Sequence, residues 1–421
     1  MHILYLSNGF PYPLTSGYLR HYFLIKELAR RHTITLLSLA TPTFRREHLA
    51  ALRPFTRSVQ VFRVPARRRA PLQKCLRRMR SLMGVDKSVG QMRQAVEELA
   101  SRERFDLVFC GKYTFPAVQP VAELPLIADF CDATSMRIRR SMRYAGPPRL
   151  ILLLLEYLSV RQRERRLLLR AQHSLFISAR DREAVVGNHR NPTTIVHNGV
   201  DLDFWKRSAA RLGDRTLVFT GAMDYRPNVD AAVCLIRKIL PPLRTVLPDV
   251  RVIVVGRDPT PRLVELGRQP GVSVTGFVHD VRPYLNAATL FVAPLRFAAG
   301  MQNKLLEAMA MEVPIIASPL AAEGLRTERG QPAPIQVVRG WRSWVEEVAG
   351  RIIELSRDPR PDARARRFVE RNFAWNQSGD KVNQVIETLL RCRNEGIDHD
   401  NCCAGRSRRG GQVHGRSAAS A

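Results

Sequence analysis

At 421 residues the chain is too long for a single hydrophobic core, and a hydrophobic fraction of 45% suits two globular domains rather than a disordered or fibrous chain. A formal net charge of +29 asks for a polyanionic neighbour, whether nucleic acid, anionic lipid or an anionic substrate. The cysteines are scattered without a Cys-x-x-Cys pair, which argues against a disulfide or zinc framework and for a reducing compartment.

Residues 2–7 read as a buried strand, and the apolar run after Met1, Ile3 to Leu6, is too short for a signal peptide. A loop through Asn8, Gly9 and Gly17 follows, then a helix carrying Leu19, Phe23, Leu24 and Leu28, then a strand over 34–39. Strand, glycine loop, helix, strand is the opening of a doubly wound α/β domain. No Gly-x-Gly-x-x-Gly is present, so a nicotinamide cofactor is not indicated. Over 66–83, Leu72, Cys75, Leu76, Met79, Leu82 and Met83 recur at helical spacing among Arg67, Arg68, Arg69, Lys74, Arg77, Arg78 and Arg80. A basic amphipathic helix of this kind suits an anionic membrane surface; a solvated helix packed on its own domain is the alternative.

Residues 106–110 and 126–130 read as strands. Asp129, Asp132 and Ser135 lie at a strand's C-terminal end, where open α/β sheets place ligands; capping the next helix is the other role open to Asp132. The leucine-rich run 150–155 is cut by Glu156, far short of a membrane span, and 161–170 reads as a charged helix. Strands over 174–178 and 194–196 lead to His197-Asn198-Gly199-Val200-Asp201, whose glycine permits a turn, and the polar residues 202–214 read as a linker.

A second domain begins with the strand 217–220 and the loop from Gly221 to Arg226, after which Pro227 and Asn228 open a helix. The strand 251–255 ends at Gly256 and Arg257, placing Arg257 on the ligand edge as a phosphate candidate, with a plain surface arginine as the alternative. Gly276 and Val278 lie in the next loop, and the strand 290–294 delivers the chain to Gly300. Residues 300–318 then read as loop, short helix and buried strand. Asn303 is the expected N-cap, Leu305, Leu306 and Met309 the apolar stripe, and Pro314 the stop. Lys304 in the first turn opposes the helix dipole unless an anion joins it, and a phosphate would explain it. Glu307 interrupts the apolar run, and a ribose hydroxyl pair would explain that; an ordinary i, i+3 surface pair is the alternative for both. A strand near 335–338, helices over 341–355 and 363–371 and a last helix over 375–390 follow, and 393–421 is expected to be disordered.

Leu305-Leu306-Glu307-Ala308-Met309-Ala310 resembles the donor-binding helix of glycosyltransferase family 4, the retaining GT-B enzymes, in which two glutamates stand eight positions apart. Glu307 matches the second, Ala299 stands where the first would be, and Glu312 replaces the glycine usual after the helix. Residues 197–201 resemble the Pro-Asn-Gly-Val-Asp that ends the first GT-B domain, and Cys131 replaces the histidine of the family's His-Asp. Gln302-Asn303-Lys304, Asp129 with Asp132 and Ser135, and Met223-Asp224-Tyr225-Arg226-Pro227-Asn228 are similar to the branch associated with exosortase (PEP-CTERM) exopolysaccharide systems. The resemblance runs over most of residues 1–392.

It implies an α/β GT-B fold of two Rossmann-like domains facing a central cleft: an acceptor-binding domain over 1–201, the linker 202–214, a donor-binding domain over 215–374, a helix over 375–392 returning to the first domain, and the basic tail 393–421. It also implies retaining transfer from a nucleotide-diphospho-sugar to a lipid-linked or glycan acceptor in exopolysaccharide or cell-surface polysaccharide synthesis. The enzyme would be cytoplasmic, peripheral on the inner face of the plasma membrane through 66–83. Donor contacts would come from Gly221, Arg226, Arg257, Gly276, Val278, Gly300, Asn303, Lys304, Leu305 and Glu307, acceptor contacts from Gly17, Asp129 and Ser135, and catalysis from Asp132 and Lys304. No cofactor and no metal are implied, and the sequence has no metal-ligand cluster. Two rivals stand beside this reading. One is a GT-B relative that binds nucleotide-sugar without efficient transfer, given Ala299 and Cys131. The other is a basic nucleic-acid-binding protein, which no recognised module supports, so no nucleic-acid partner is expected.

Overall fold

The computed structural model describes residues 1–14, 18–40, 44–63, 87–143, 145–208, 215–297, 301–327 and 330–395. Two compact units divide the chain: unit 1 is Met1–Ser135, Ile151–Val196 and the chain from Gly379, and unit 2 is Met136–Leu150 with His197–Ser378.

Unit 1 is built on seven parallel strands, β1 (His2–Ser7), β2 (Thr33–Leu39), β3 (Ser58–Phe62), β4 (Leu107–Cys110), β5 (Leu126–Asp129), β6 (His173–Phe176) and β7 (Thr193–Ile195), in the order β3-β2-β1-β4-β5-β6-β7. β4, β5 and β6 are buried along their whole length, as strands are when helices cover both faces of a sheet. One core cluster gathers Ile3, Tyr5, Leu24, Phe109 and Ile127 with Val382, Val385, Ile386 and Leu389. The last four belong to the helix Trp375–Asn394, which begins in unit 2 and lies in unit 1 from Gly379 onward. Its approach is close: a Cβ on Gly379 would stand 2.5 Å from Cβ of Glu27.

Unit 2 has six parallel strands, β8 (Thr216–Thr220), β9 (Arg251–Val255), β10 (Val272–Val274), β11 (Leu290–Ala293), β12 (Ile315–Ala317) and β13 (Gln336–Val337), in the order β10-β9-β8-β11-β12-β13. In such an order the chain winds first to one side of β8 and then to the other. A crevice therefore opens between the C-terminal ends of β8 and β11, the place where doubly wound sheets take ligands. The matching place in unit 1 lies between β1 and β4.

Some expectations need correction. Residues 136–150, expected in the first domain, group with unit 2; Arg140 donates to the Glu323 carboxylate at 3.2 Å there. The charged helix expected over 161–170 starts at Pro147, a residue type that suits a first turn because its missing N–H would be unpaired anyway. The last helix runs on to Asn394. The described part of the linker is held down: Arg207 donates to the backbone oxygens of Asn286 at 2.8 Å and Met311 at 3.3 Å. Gly17, the segment 66–83, residues 209–214, Ala299, Gly300 and residues 396–421 lie outside the described residues. Among the described residues no helix is long and apolar enough to cross a membrane.

Candidate active site

The donor-side candidates of unit 2 start where β8 and β9 end. Gly221 has φ 153° and Gly256 φ 158°. A Cβ on Gly256 would stand 1.7 Å from the Gly221 oxygen, and one on Gly221 would stand 2.5 Å from Nδ2 of Asn228. At Gly256 a side chain would run into the Gly221 backbone, and at Gly221 the Asn228 side chain fills the space, so glycine suits both positions.

The helix Asn303–Ala310 follows β11. Its N-cap position is Gln302, with no side-chain capping bond; Asn303 is already helical, and its Oδ1 accepts from Nδ2 of Asn198 at 2.9 Å. The partner 105 positions away wins over the local cap. Nor does Pro314 stop the helix. The stop comes at Met311 and Glu312, and Glu312 adopts φ 56°, the left-handed conformation the missing glycine would take freely.

Lys304 stands half-buried in the first turn, donates to Oδ1 of Asn228, and lies 5.1 Å from the centroid of the Phe219 ring at the end of β8. Burial lowers its pKa to about 8, against the pull of Glu307. Burial likewise raises the half-buried Glu307 to about 7, against the pull of Lys304. The two charges feel each other, but among the described residues they form no ion pair, so the i, i+3 surface pair is not what forms. An ammonium and a carboxyl are thus held in a partly dry crevice, each short of its usual solvation. Leu305 is a core residue here: it is fully buried, and its N–H is spent on the Gln302 oxygen at 2.9 Å.

The remaining donor candidates are less tightly gathered. Arg226 opens the helix Arg226–Cys234 with its guanidinium 5.1 Å from the Phe297 ring centroid; burial lowers its pKa, Arg149 adds to that, and Asp230 opposes it. Arg257 donates to the neighbouring Asp258 carboxylate at 2.6 Å. Gly276, at φ 71°, and Val278 follow β10, the outer strand of the sheet.

In unit 1 the junction of β1 and β4 is equally tight. Asn8 Oδ1 accepts from the Tyr113 N–H at 3.1 Å, and a Cβ on Gly111 would stand 2.0 Å from Nδ2 of Asn8. Next to it, the buried Lys112 donates from Nζ to the Asp132 oxygen at 2.9 Å, Asp132 Oδ1 at 3.3 Å and Thr134 Oγ1 at 2.7 Å, with the Glu164 carboxylate at 3.7 Å. Burial works against its charge, but Asp132, Tyr113 and Glu164 outweigh it and its pKa is raised. Asp132 keeps an open side, its side chain 32% exposed.

Asp129 and Ser135, expected to face an acceptor, are both buried. Asp129 is gripped by Arg20 through bonds of 2.9 and 3.2 Å; burial pushes its pKa up, but Arg20 brings it below the usual carboxylate range. Ser135 gives its N–H to Glu164 at 3.2 Å. Asp129 is thus enclosed at the end of β5, and Ser135 is enclosed in the helix Thr134–Met142 that follows. Cys131, at the histidine's place, takes φ 55°, and burial holds its thiol well above the ordinary value. Sequence reasoning missed Lys112, Asn8 and the pairing of Asn228 with Lys304; Pro227-Asn228 signalled only a helix start.

Residues 214–358 match the family described as Glycosyl transferases group 1. No curated protein matches the chain. Solved structures match at low identity over nearly the whole chain. Anabaena HepE in complex with UDP and glucose has a TM-score of 0.61 and 14% identity, over 92% of this chain and 99% of that one. HepE in complex with UDP-glucose has a TM-score of 0.60 and 16% identity, over 92% and 99%. Sucrose-phosphate synthase from Thermosynechococcus elongatus has a TM-score of 0.67 and 14% identity, over 93% and 100%. Two parallel Rossmann-like sheets with these likenesses define the architecture as GT-B. Taken with the matched segment, which holds Lys304 and Glu307, they make the protein a glycosyltransferase.

Proposed function

We propose that the protein is a retaining, family 4-like transferase close to the exosortase-associated branch. It moves a sugar from a nucleoside-diphosphate sugar to a lipid-linked glycan acceptor in exopolysaccharide or cell-surface polysaccharide synthesis. The observation that carries the donor reading is the cluster of Phe219, Asn228, Lys304 and Glu307 at the β8–β11 switch point, inside the segment 214–358. HepE has been solved with UDP and with UDP-glucose, which makes uridine nucleotides the first probes.

In this reading Lys304 and the dipole of the 303–310 helix stabilise the departing diphosphate, with Arg226 and Arg257 as further cations. Glu307 accepts from the ribose hydroxyls, and the backbone around Gly276 and Val278 meets the base. These cations neutralise the leaving group, so no metal and no cofactor are required. The bond from the anomeric carbon to the diphosphate breaks as the acceptor oxygen bonds on the same face. The acceptor proton passes to a donor phosphate oxygen or to Asp132, the carboxylate that Lys112 holds in place in unit 1. Gly17 borders the acceptor. The basic segment 66–83 keeps the enzyme at the cytoplasmic face of the plasma membrane, where a lipid-linked acceptor lies.

A thermal-shift screen of nucleotide-sugars tests this. A ligand at a hundred times its Kd stabilises a protein by about 2.7 kcal/mol. Stabilisation by one nucleotide-sugar family, followed by transfer with the α or β configuration of the donor kept, is the expected result. Stabilisation without turnover on any glycolipid fraction would favour a binding protein instead, consistent with Ala299 and Cys131. No stabilisation by any member would sink the donor assignment.

A further inference from the structure

The helix Pro147–Arg170 carries an apolar stripe that nothing in the described protein covers. Ile151, Leu154, Leu155 and Leu158 are 63%, 48%, 46% and 55% exposed, and their i, i+3, i+4, i+7 spacing puts them on one face. Leu169, 56% exposed, continues that line. Fraying does not account for this, since Leu153, Val160, Leu167 and Leu168 on the other side are buried and fasten the helix. A single exposed leucine needs no explanation; a contiguous row of them marks a surface that meets something apolar. Arginines bracket the row. Arg149 is exposed before Ile151, and Arg165 and Arg166 are exposed about two turns after Leu158, Arg165 on the same face. The chain as a whole carries +29, which disfavours a second copy of itself and favours an anionic surface.

We propose that this stripe is an interfacial anchor. Ile151, Leu154, Leu155 and Leu158 enter the boundary between headgroups and acyl chains of an anionic membrane while the flanking arginines hold lipid phosphates. The geometry is that of a helix lying in the interface plane. The proposal rests on the membrane reading above but assigns the apolar contact to a different element from 66–83.

Full-length protein is sedimented with vesicles of phosphatidylglycerol and phosphatidylethanolamine, and with vesicles of phosphatidylcholine alone. Changing Ile151, Leu154, Leu155 and Leu158 together to Gln should weaken binding to the anionic vesicles by about tenfold or more, with nucleotide binding unchanged. A Leu155→Trp variant should gain fluorescence quenching by lipids brominated on their acyl chains, beyond that of the wild type. If the Gln variant still binds while Arg67, Arg68, Arg77 and Arg78 changed to Ser abolish binding, the membrane reading stands and this anchor is wrong. If the Gln variant binds as the wild type does but converts a dimer to a monomer, the stripe joins two copies and the proposal is overturned. If the wild type ignores anionic vesicles at low salt, both ideas fall together.

Discussion

At the residue scale, Glu307 and Lys304 were legible because each breaks a local rule, a carboxylate in an apolar run and a cation at a positive helix end. Asn228 was not legible, since its partner lies 76 positions away and only the folded crevice joins them. If Glu307 holds the ribose, Glu307→Ala should weaken donor binding by about tenfold to a hundredfold, the worth of a hydrogen bond to a charged group. Calorimetry checks this, and unchanged affinity would remove Glu307 from the site. The two pKa values add a signed test with UDP-glucose. In the free protein Glu307 becomes protonated as pH falls through about 7, and Lys304 loses its proton as pH rises through about 8. Binding that needs the carboxylate and the ammonium must release a proton on the acid side and take one up on the alkaline side. Affinity should therefore fall on both flanks, and titrations in buffers of different ionisation enthalpy read the proton count directly. Lys304→Met should remove the alkaline uptake and weaken binding of both nucleoside diphosphate and nucleotide-sugar, since the ammonium that loses its proton there is gone. In unit 1, Lys112→Met strips the fully buried Glu164 of its countercharge. A loss of about 3–5 kcal/mol in urea unfolding is expected, with donor affinity unaltered.

At the element scale, the strands were readable as apolar runs between glycines, and the helices as stripes of period 3.6. What the pattern could not carry was the direction of side chains at element ends. Asp129 and Asp132 both stand near the end of β5, yet one is fully buried against Arg20 and the other, held by Lys112, keeps its side chain partly exposed. Nor could it reveal that Asn198 engages Asn303 in place of a local cap. Backbone conformation at the ends gives opposite predictions for two positions. Gly256→Ala must push against the Gly221 oxygen at a φ of 158°, and strain of this kind costs about 1–3 kcal/mol. It should lower the melting temperature and weaken nucleotide binding together, because the loop it disturbs leads into the helix that carries Asn228. Glu312→Gly relieves a left-handed backbone and should stabilise by up to about 1 kcal/mol, the strain released minus the entropy glycine adds to the unfolded chain. Differential scanning calorimetry on the pair reads both signs.

At the scale of the whole molecule, the sequence marked two doubly wound sheets but misread how the chain is shared between them. Residues 136–150 look like a continuation of the first sheet's helices, and only contacts such as Arg140 with Glu323 assign them to unit 2. The same sharing recurs at the other end. Val382, Val385, Ile386 and Leu389 complete a core begun by Ile3 and Tyr5, so nearly the whole chain separates the first and last pieces of one hydrophobic cluster. On a ribosome this has a direct meaning. The strands of unit 1 emerge before those of unit 2, yet their core stays unfinished until the helix Trp375–Asn394 leaves the exit tunnel, with most of unit 2 made in between. During that interval an apolar seam waits open for a partner or a chaperone. Residues 1–196 expressed alone should therefore remain loosely packed and bind a hydrophobic dye. A peptide of residues 379–395 supplied in trans should close the seam and quench the dye; a fragment that folds cooperatively without it would show that synthesis need not wait.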